Sequence, residues 1–262
     1  GNTIFAVSTV LTAFMFGMAA GSWLFGRMAD KSLRPLRLFA LLEIGIGLYA
    51  LAFATILTTV DVFYSWFFQS FHPSFYPLSL VRFVTSIIIL LIPTALMGGT
   101  LPVLSKLWAN RPPKKGASDA GIGKSTGFLY SINTFGAVAG SFLSGYVFIR
   151  IWGVSNTVYL AASVNILIGI LSFILSMVKD KPVEKKHKYS ARKAKPVERI
   201  SVENEEITEQ AGRKQKIVLA AVLVAGFCAL ALEVLWTRVL LFVLGTSVYA
   251  FACMLTCFIL GL

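Results

Sequence analysis

Gly245–Leu262 reads GTSVYAFACMLTCFILGL, and Gly1–Met18 reads GNTIFAVSTVLTAFMFGM. Aligned without gaps, the two stretches are identical at Gly1/Gly245, Ala6/Ala250, Leu11/Leu255, Thr12/Thr256, Phe14/Phe258 and Gly17/Gly261. Most of the other pairs are conservative, Phe5/Tyr249 and Ile4/Val248 among them. Apolar stretches this alike at opposite ends of a chain are copies of one unit. The chain is therefore expected to start inside one copy and to stop inside the next.

Composition says what kind of unit it is. Hydrophobic residues make up 56% of the 262 and charged residues 14%, where a soluble domain carries about 25% charged. Mean hydropathy is +0.77. Apolar runs of about 20 residues, enough to cross a bilayer, recur throughout. Lipid offers no partner for open backbone groups, so the runs read as helices, and the alternating strands of a membrane barrel are absent. The fold class is all-α: a polytopic transmembrane helix bundle, its main partner the lipid bilayer. Seven spans are expected, at about 3–26, 38–60, 81–104, 126–149, 155–178, 216–235 and 246 to the end.

The net charge of +12 does not point to nucleic acid, because the charge follows the loops. Twenty-one of the 24 Lys and Arg residues fall between the first and second, third and fourth, and fifth and sixth spans, with Lys216 counted at the edge of the sixth. Arg82, Arg150 and Arg238 are the remainder. By the positive-inside rule the basic side is cytoplasmic. The longest basic segment, 179–215, begins KDKPVEKKHKYSARKAKP, becomes acidic in ENEEITEQ, and reads as a solvated cytoplasmic linker. Its basic part is also of the kind that attracts anionic lipids. On the other side, DVFYSWFFQSFHPSFYPLSL suits the headgroup boundary as an aromatic loop, with no chemical role for His72.

Two spans six apart run in the same direction, and such parallel repetition is how the halves of a major-facilitator transporter are related. In that frame residues 1–178 hold spans two to six of the first half, 179–215 the linker, and 216–262 the first two spans of the second half. GRMADKSLRPLR, Gly26–Arg37, resembles the signature of the major facilitator superfamily. Gly26, Asp30, Lys31 and Arg34 match it; Leu33 stands where a second Gly is usual and Pro35 replaces a basic residue. The reading gives Gly26 a close helix approach and Asp30 a basic group or helix N-terminus to pair with. In the superfamily this loop gates the inward face.

Further segments narrow the resemblance: LIPTALMGGTLPVLSK (91–106), GFLYSINTFGAVAGSFLSGYVF (127–148) and ALEVLWTRVLLFVLGTSVYAF (231–251). With Gly21–Leu51 they resemble the membrane region of bacterial and archaeal proteins in which a facilitator-like bundle is fused to a spermidine synthase-like domain. That resemblance implies a prokaryotic cytoplasmic membrane protein. It also implies an anchored aminopropyltransferase-like domain that uses decarboxylated S-adenosylmethionine and an amine, and a bundle that moves a polyamine-related solute. The alternative is a free-standing facilitator-type transporter.

Within the spans, Pro93 and Pro102 flank Gly98-Gly99 and are expected to kink their helix. Gly136, Gly140 and Gly145 are expected to let theirs pack backbone to backbone. Glu43, Asn133, Glu233, Thr237 and Arg238 are the intramembrane polar candidates, since a charge at mid-membrane costs roughly 2.5–3.5 kcal/mol and persists where it works. GIGKST, 121–126, lacks the first Gly and the preceding strand of a phosphate loop. Cys228, Cys253 and Cys257 lie in apolar runs without His, Asp or Glu and read as small core residues. No catalytic residue, metal site or cofactor is expected in these residues themselves.

Overall fold

The computed structural model describes residues 4–72, 74–109, 120–179, 248–261 and, between 218 and 239, residues 218, 220, 221, 223–232, 234–236 and 239. By contact the chain divides into two units, residues 1–183 with 240–262, and residues 184–239. In the second, most of the described residues fall in an apolar helix, Leu223–Trp236.

The first unit is built of α1 (Ile4–Lys31), α2 (Pro35–Phe71), α3 (Phe75–Ala109), α4 (Ala120–Leu143), a π-helical turn (Ser144–Phe148), α5 (Ile149–Lys179) and α6 (Val248–Gly261). Among the described residues, four apolar helices are long enough to cross a membrane: Ser8–Lys31, Pro35–Phe71, Tyr76–Trp108 and Gly127–Val178. The last, of 52 residues, holds the length of two spans and is broken at Gly153, whose φ of 76° and ψ of 174° suit glycine alone. The break falls between the expected fourth and fifth spans.

The helices overrun the expected spans. α1 continues to Lys31 instead of ending at 26, α2 covers 35–71 instead of 38–60, and α3 covers 75–109 instead of 81–104. The expected aromatic loop is thus two helix ends. Bilayer width limits only how long a span must be; a helix ends where its backbone is stopped. Nothing in VDVFYSWFFQSF stops it. His72, next to Pro73, does: it takes a left-handed conformation (φ 42°, ψ 49°) and donates its N–H to the Phe68 carbonyl at 3.0 Å. α4 likewise begins at Ala120 instead of 126, so GIGKST is helical.

α1 packs along α3, and α2 along both α5 and α3, while α4 and the π turn meet α6. Lipid gives helices no hydrophobic reason to associate, so contact depends on close approach. In the α1–α3 seam a Cβ on Gly17 would strike the Thr94 side chain, one on Gly21 the Ala95 backbone, and one on Gly98 the Met18 backbone. Gly99 has the Phe25 ring in the same position. α2 and α5 repeat the device reciprocally: Gly47 lies against Ala162 and Ile166, and Gly169 against Ala40 and Ile44. At the basic end of the bundle Ala29, Leu42 and Val103 form a buried core, with Phe25, Leu38, Phe39 and Leu96 around it.

Candidate functional site

The signature stretch sits directly on that core. Asp30, in the last turn of α1, pairs with Lys106 of α3, its Oδ1 3.1 Å from the Lys Nζ. The Asp30 side chain is 72% exposed and that of Lys106 32%, so the pair contributes about 0–1 kcal/mol. Of the five basic residues expected beyond the third span, it is the one still on the helix that meets Asp30.

The turn itself is three residues long. The Ser32 N–H closes α1 on the Ala29 carbonyl at 3.2 Å, and the Arg34 N–H donates to Ser32 Oγ at 3.1 Å. Pro35 then opens α2, where a missing N–H is harmless. Leu33 has no positive φ, so the turn does not need the glycine that the signature usually carries there. Lys31 is exposed at the C-terminal end of α1, where the helix dipole favours a cation. Arg34 is exposed as well. Gly26 corrects an expectation: a Cβ there would stand 3.7 Å from Pro102 Cβ, in ordinary contact. The close approach of α1 to α3 is made earlier, at Gly17 and Gly21.

Sequence reasoning placed Arg37 in a loop. It lies in the first turn of α2, half-buried, with its guanidinium 5.9 Å from the centre of the Phe173 ring of α5. Its Nε is buried and has no hydrogen-bond partner among the described residues. Arg27 stacks over Trp23 at 4.0 Å.

The prolines expected to kink α3 lie inside one continuous helix. Pro93 cannot donate to the carbonyl of Ile89 four residues back. Tyr49 of α2 fills that vacancy, its hydroxyl donating to the Ile89 oxygen at 2.7 Å. Thr94 is buried and donates to the Leu90 carbonyl at 2.6 Å. Tyr49 was missed from sequence, although a tyrosine in an apolar span beside a proline-bearing one was the available signal.

Glu43 is half-buried in α2, and no described residue pairs with it. Asn133 is exposed on α4. Glu233, Thr237 and Arg238, with the linker 180–215, lie outside the described residues.

α4 carries a second correction. Gly136 and Gly140 were expected at a helix contact; each faces open space, with nothing within 4 Å of an added Cβ. Together with Asn133 they form one exposed stripe, spaced three and four residues apart. The contact with α6 is on another face. Gly145 lies against Ala252, Thr256 donates to Ser141 Oγ at 3.2 Å, and the Tyr146 hydroxyl reaches the Tyr249 carbonyl at 3.2 Å. Beyond this clasp the helices part around a cleft of about 210 Å³, lined by Tyr130, Ser131, Thr134, Phe135, Val138, Ile259 and Leu260. The cysteines differ from expectation too: Cys253 is half-buried, and Cys228 and Cys257 are exposed.

Among the described residues no three His, Cys, Asp or Glu side chains converge as metal ligands. The family model described as Major Facilitator Superfamily matches residues 1–262. No curated protein and no solved structure matches the chain.

Proposed function

The chain belongs to the major facilitator superfamily, and from that premise we propose that it is a membrane-transport module. In this reading a small solute crosses as helix bundles rock about a site between them. The observation that carries the reading is the family match across residues 1–262. The glycine-tight α1–α3 and α2–α5 pairs support it, since helices packed backbone to backbone move as units. So does the Asp30–Lys106 pair, a weak exposed contact beside a buried core, which suits a gate that forms and opens at small cost. Asn133, with the bare backbone at Gly136 and Gly140, is ill suited to lipid and well suited to a polar path.

A finer proposal concerns the solute. Leu129–Thr134 (LYSINT) and Glu233–Arg238 (EVLWTR) are the segments most like the spermidine synthase-like fusion proteins. On that resemblance the solute is a small amine, and the bundle anchors an aminopropyltransferase-like domain that would bind decarboxylated S-adenosylmethionine. Carboxylates in the spans, Glu43 and Glu233, are the groups that receive an ammonium ion. The alternative is a transporter of another small solute with no such domain.

Proteoliposome uptake tests both levels. Radiolabelled putrescine or spermidine should accumulate, more slowly with Glu43→Gln. Uptake of other solutes but of neither amine would remove the amine proposal and leave the transport reading. Failure to move any of a broad solute panel would remove both.

A further inference from the structure

We propose that the far end of the α2–α3 hairpin, residues 62–71 and 76–84, is a lipid anchor seated in the glycerol and headgroup layer of the leaflet opposite the basic loops. α2 has 37 residues and α3 has 35. At 1.5 Å per residue they are about 55 and 52 Å long, against about 30 Å of hydrocarbon and about 40–45 Å with the headgroups. Arg34, Arg37 and Lys106 hold the other ends at the basic surface. The surplus therefore lies at the hairpin's tip.

Apart from one exposed polar strip, Thr58, Asp61, Ser65 and Gln69, the free surface of the tip is largely apolar. From Phe53 to Phe71 the half-buried positions are Phe53, Ile56, Val60, Tyr64 and Phe67, a single seam spaced three and four residues apart. Tyr64 marks it as the seam with α3, its hydroxyl 3.4 Å from the Arg82 carbonyl oxygen. All other side chains of that stretch are exposed. Leu57, Val62, Phe63, Trp66, Phe68 and Phe71 are the large apolar ones. At roughly 100° per residue they spread over about 240° of the helix circumference. A docked protein covers one face; the acyl chains and headgroups of lipid meet apolar and polar faces together.

The polar content agrees. Between Glu43 and Lys106 the only Asp, Glu, Lys or Arg residues are Asp61 and Arg82, whereas a helix pair standing in water carries a charged side. The exposed hydroxyls of Thr58 and Thr59 donate to the Thr55 carbonyl at 2.8 and 2.9 Å, and Ser65 donates to the Asp61 carbonyl at 2.9 Å. Such back-bonding satisfies them without water. Trp66 and Tyr76, 57% and 82% exposed, are the residue types that collect at the boundary between acyl chains and headgroups. The tip also continues the apolar outer surface below it, through Leu57 on α2 and Val84 and Ile88 on α3.

The test uses Trp66 as the sole tryptophan, with Trp23, Trp108, Trp152 and Trp236 replaced by Phe. The full chain is reconstituted into phosphatidylcholine vesicles whose acyl chains are brominated at shallow or deep positions. The expected result is blue-shifted emission, quenched most by the shallow bromines and untouched by aqueous iodide. Free quenching by iodide would overturn the proposal. So would insensitivity to both quenchers, which would mean that protein covers the tip. Where that variant does not fold, a spin label at Val62→Cys in a chain with Cys228, Cys253 and Cys257 changed to Ser gives the same answer. Oxygen should reach it and a water-soluble nickel chelate should not; access of nickel, or exclusion of both, would overturn the proposal.

Discussion

α1 and α4 carry glycines at the same spacing and use them in opposite ways. Gly17 and Gly21 are buried against Thr94 and Ala95 of α3, while Gly136 and Gly140 face open space. A pair of glycines four residues apart thus permits a close contact without making one; the partner helix decides. α3 supplies a matching surface, with Gly98 admitting the Met18 backbone and Gly99 the Phe25 ring. α6 meets α4 elsewhere, through Ser141, Gly145 and Tyr146. The first region is a locked seam and the second a helix with one face left free.

The largest effect that breaks this comparison comes from filling the locked seam. Gly21→Leu forces a side chain into the Ala95 backbone and should lower stability by about 3 kcal/mol or abolish folding; Gly140→Leu should not. Thermal unfolding in detergent reads both. Next is Tyr49→Phe, which leaves the Ile89 carbonyl unpaired beside Pro93 and should cost about 1–3 kcal/mol. If its melting temperature is unchanged, another group must satisfy that carbonyl.

A smaller effect sharpens the other region. Thr256→Val removes the link to Ser141 and should cost about 0.5–1.5 kcal/mol. Its larger consequence should be in uptake, because the clasp joins α4 to α6; unchanged uptake would show that the contact is passive. The smallest stability effect is at the signature. Asp30→Asn should change stability by less than about 1 kcal/mol, the ceiling for an exposed pair, and a double-mutant cycle with Lys106→Gln isolates the coupling. A cycle energy near zero alongside normal uptake would remove the pair from the gate.

The fold class was legible because long apolar runs, few charges and basic residues concentrated in alternate loops each follow from what a bilayer tolerates. The helix ends were not. Apolar length fixes the minimum span, and the local stop at His72-Pro73 sets the true end of α2. The signature was legible at Asp30, which needed a basic partner. Choosing Lys106 from Lys106, Arg111, Lys114, Lys115 and Lys124 required knowing how far α3 runs. Arg37 was hidden for the same reason, since a helix starting at Pro35 turns a loop residue into a wedge against Phe173. The role of Gly136 and Gly140 could not be read because a glycine has no side chain to reveal its neighbour.

The most direct measurement makes one chemical change in both regions. Gly98→Ala and Gly136→Ala each add a methyl group to a helix, which by propensity alone is worth about 0.8–1.0 kcal/mol in favour of Ala. At Gly98 the methyl meets the Met18 backbone, and at Gly136 it meets nothing within 4 Å. Measured side by side in one detergent, the melting temperature should fall for Gly98→Ala and hold or rise for Gly136→Ala. Equal shifts in the two variants, or a fall only at Gly136, would contradict the contrast between the two regions.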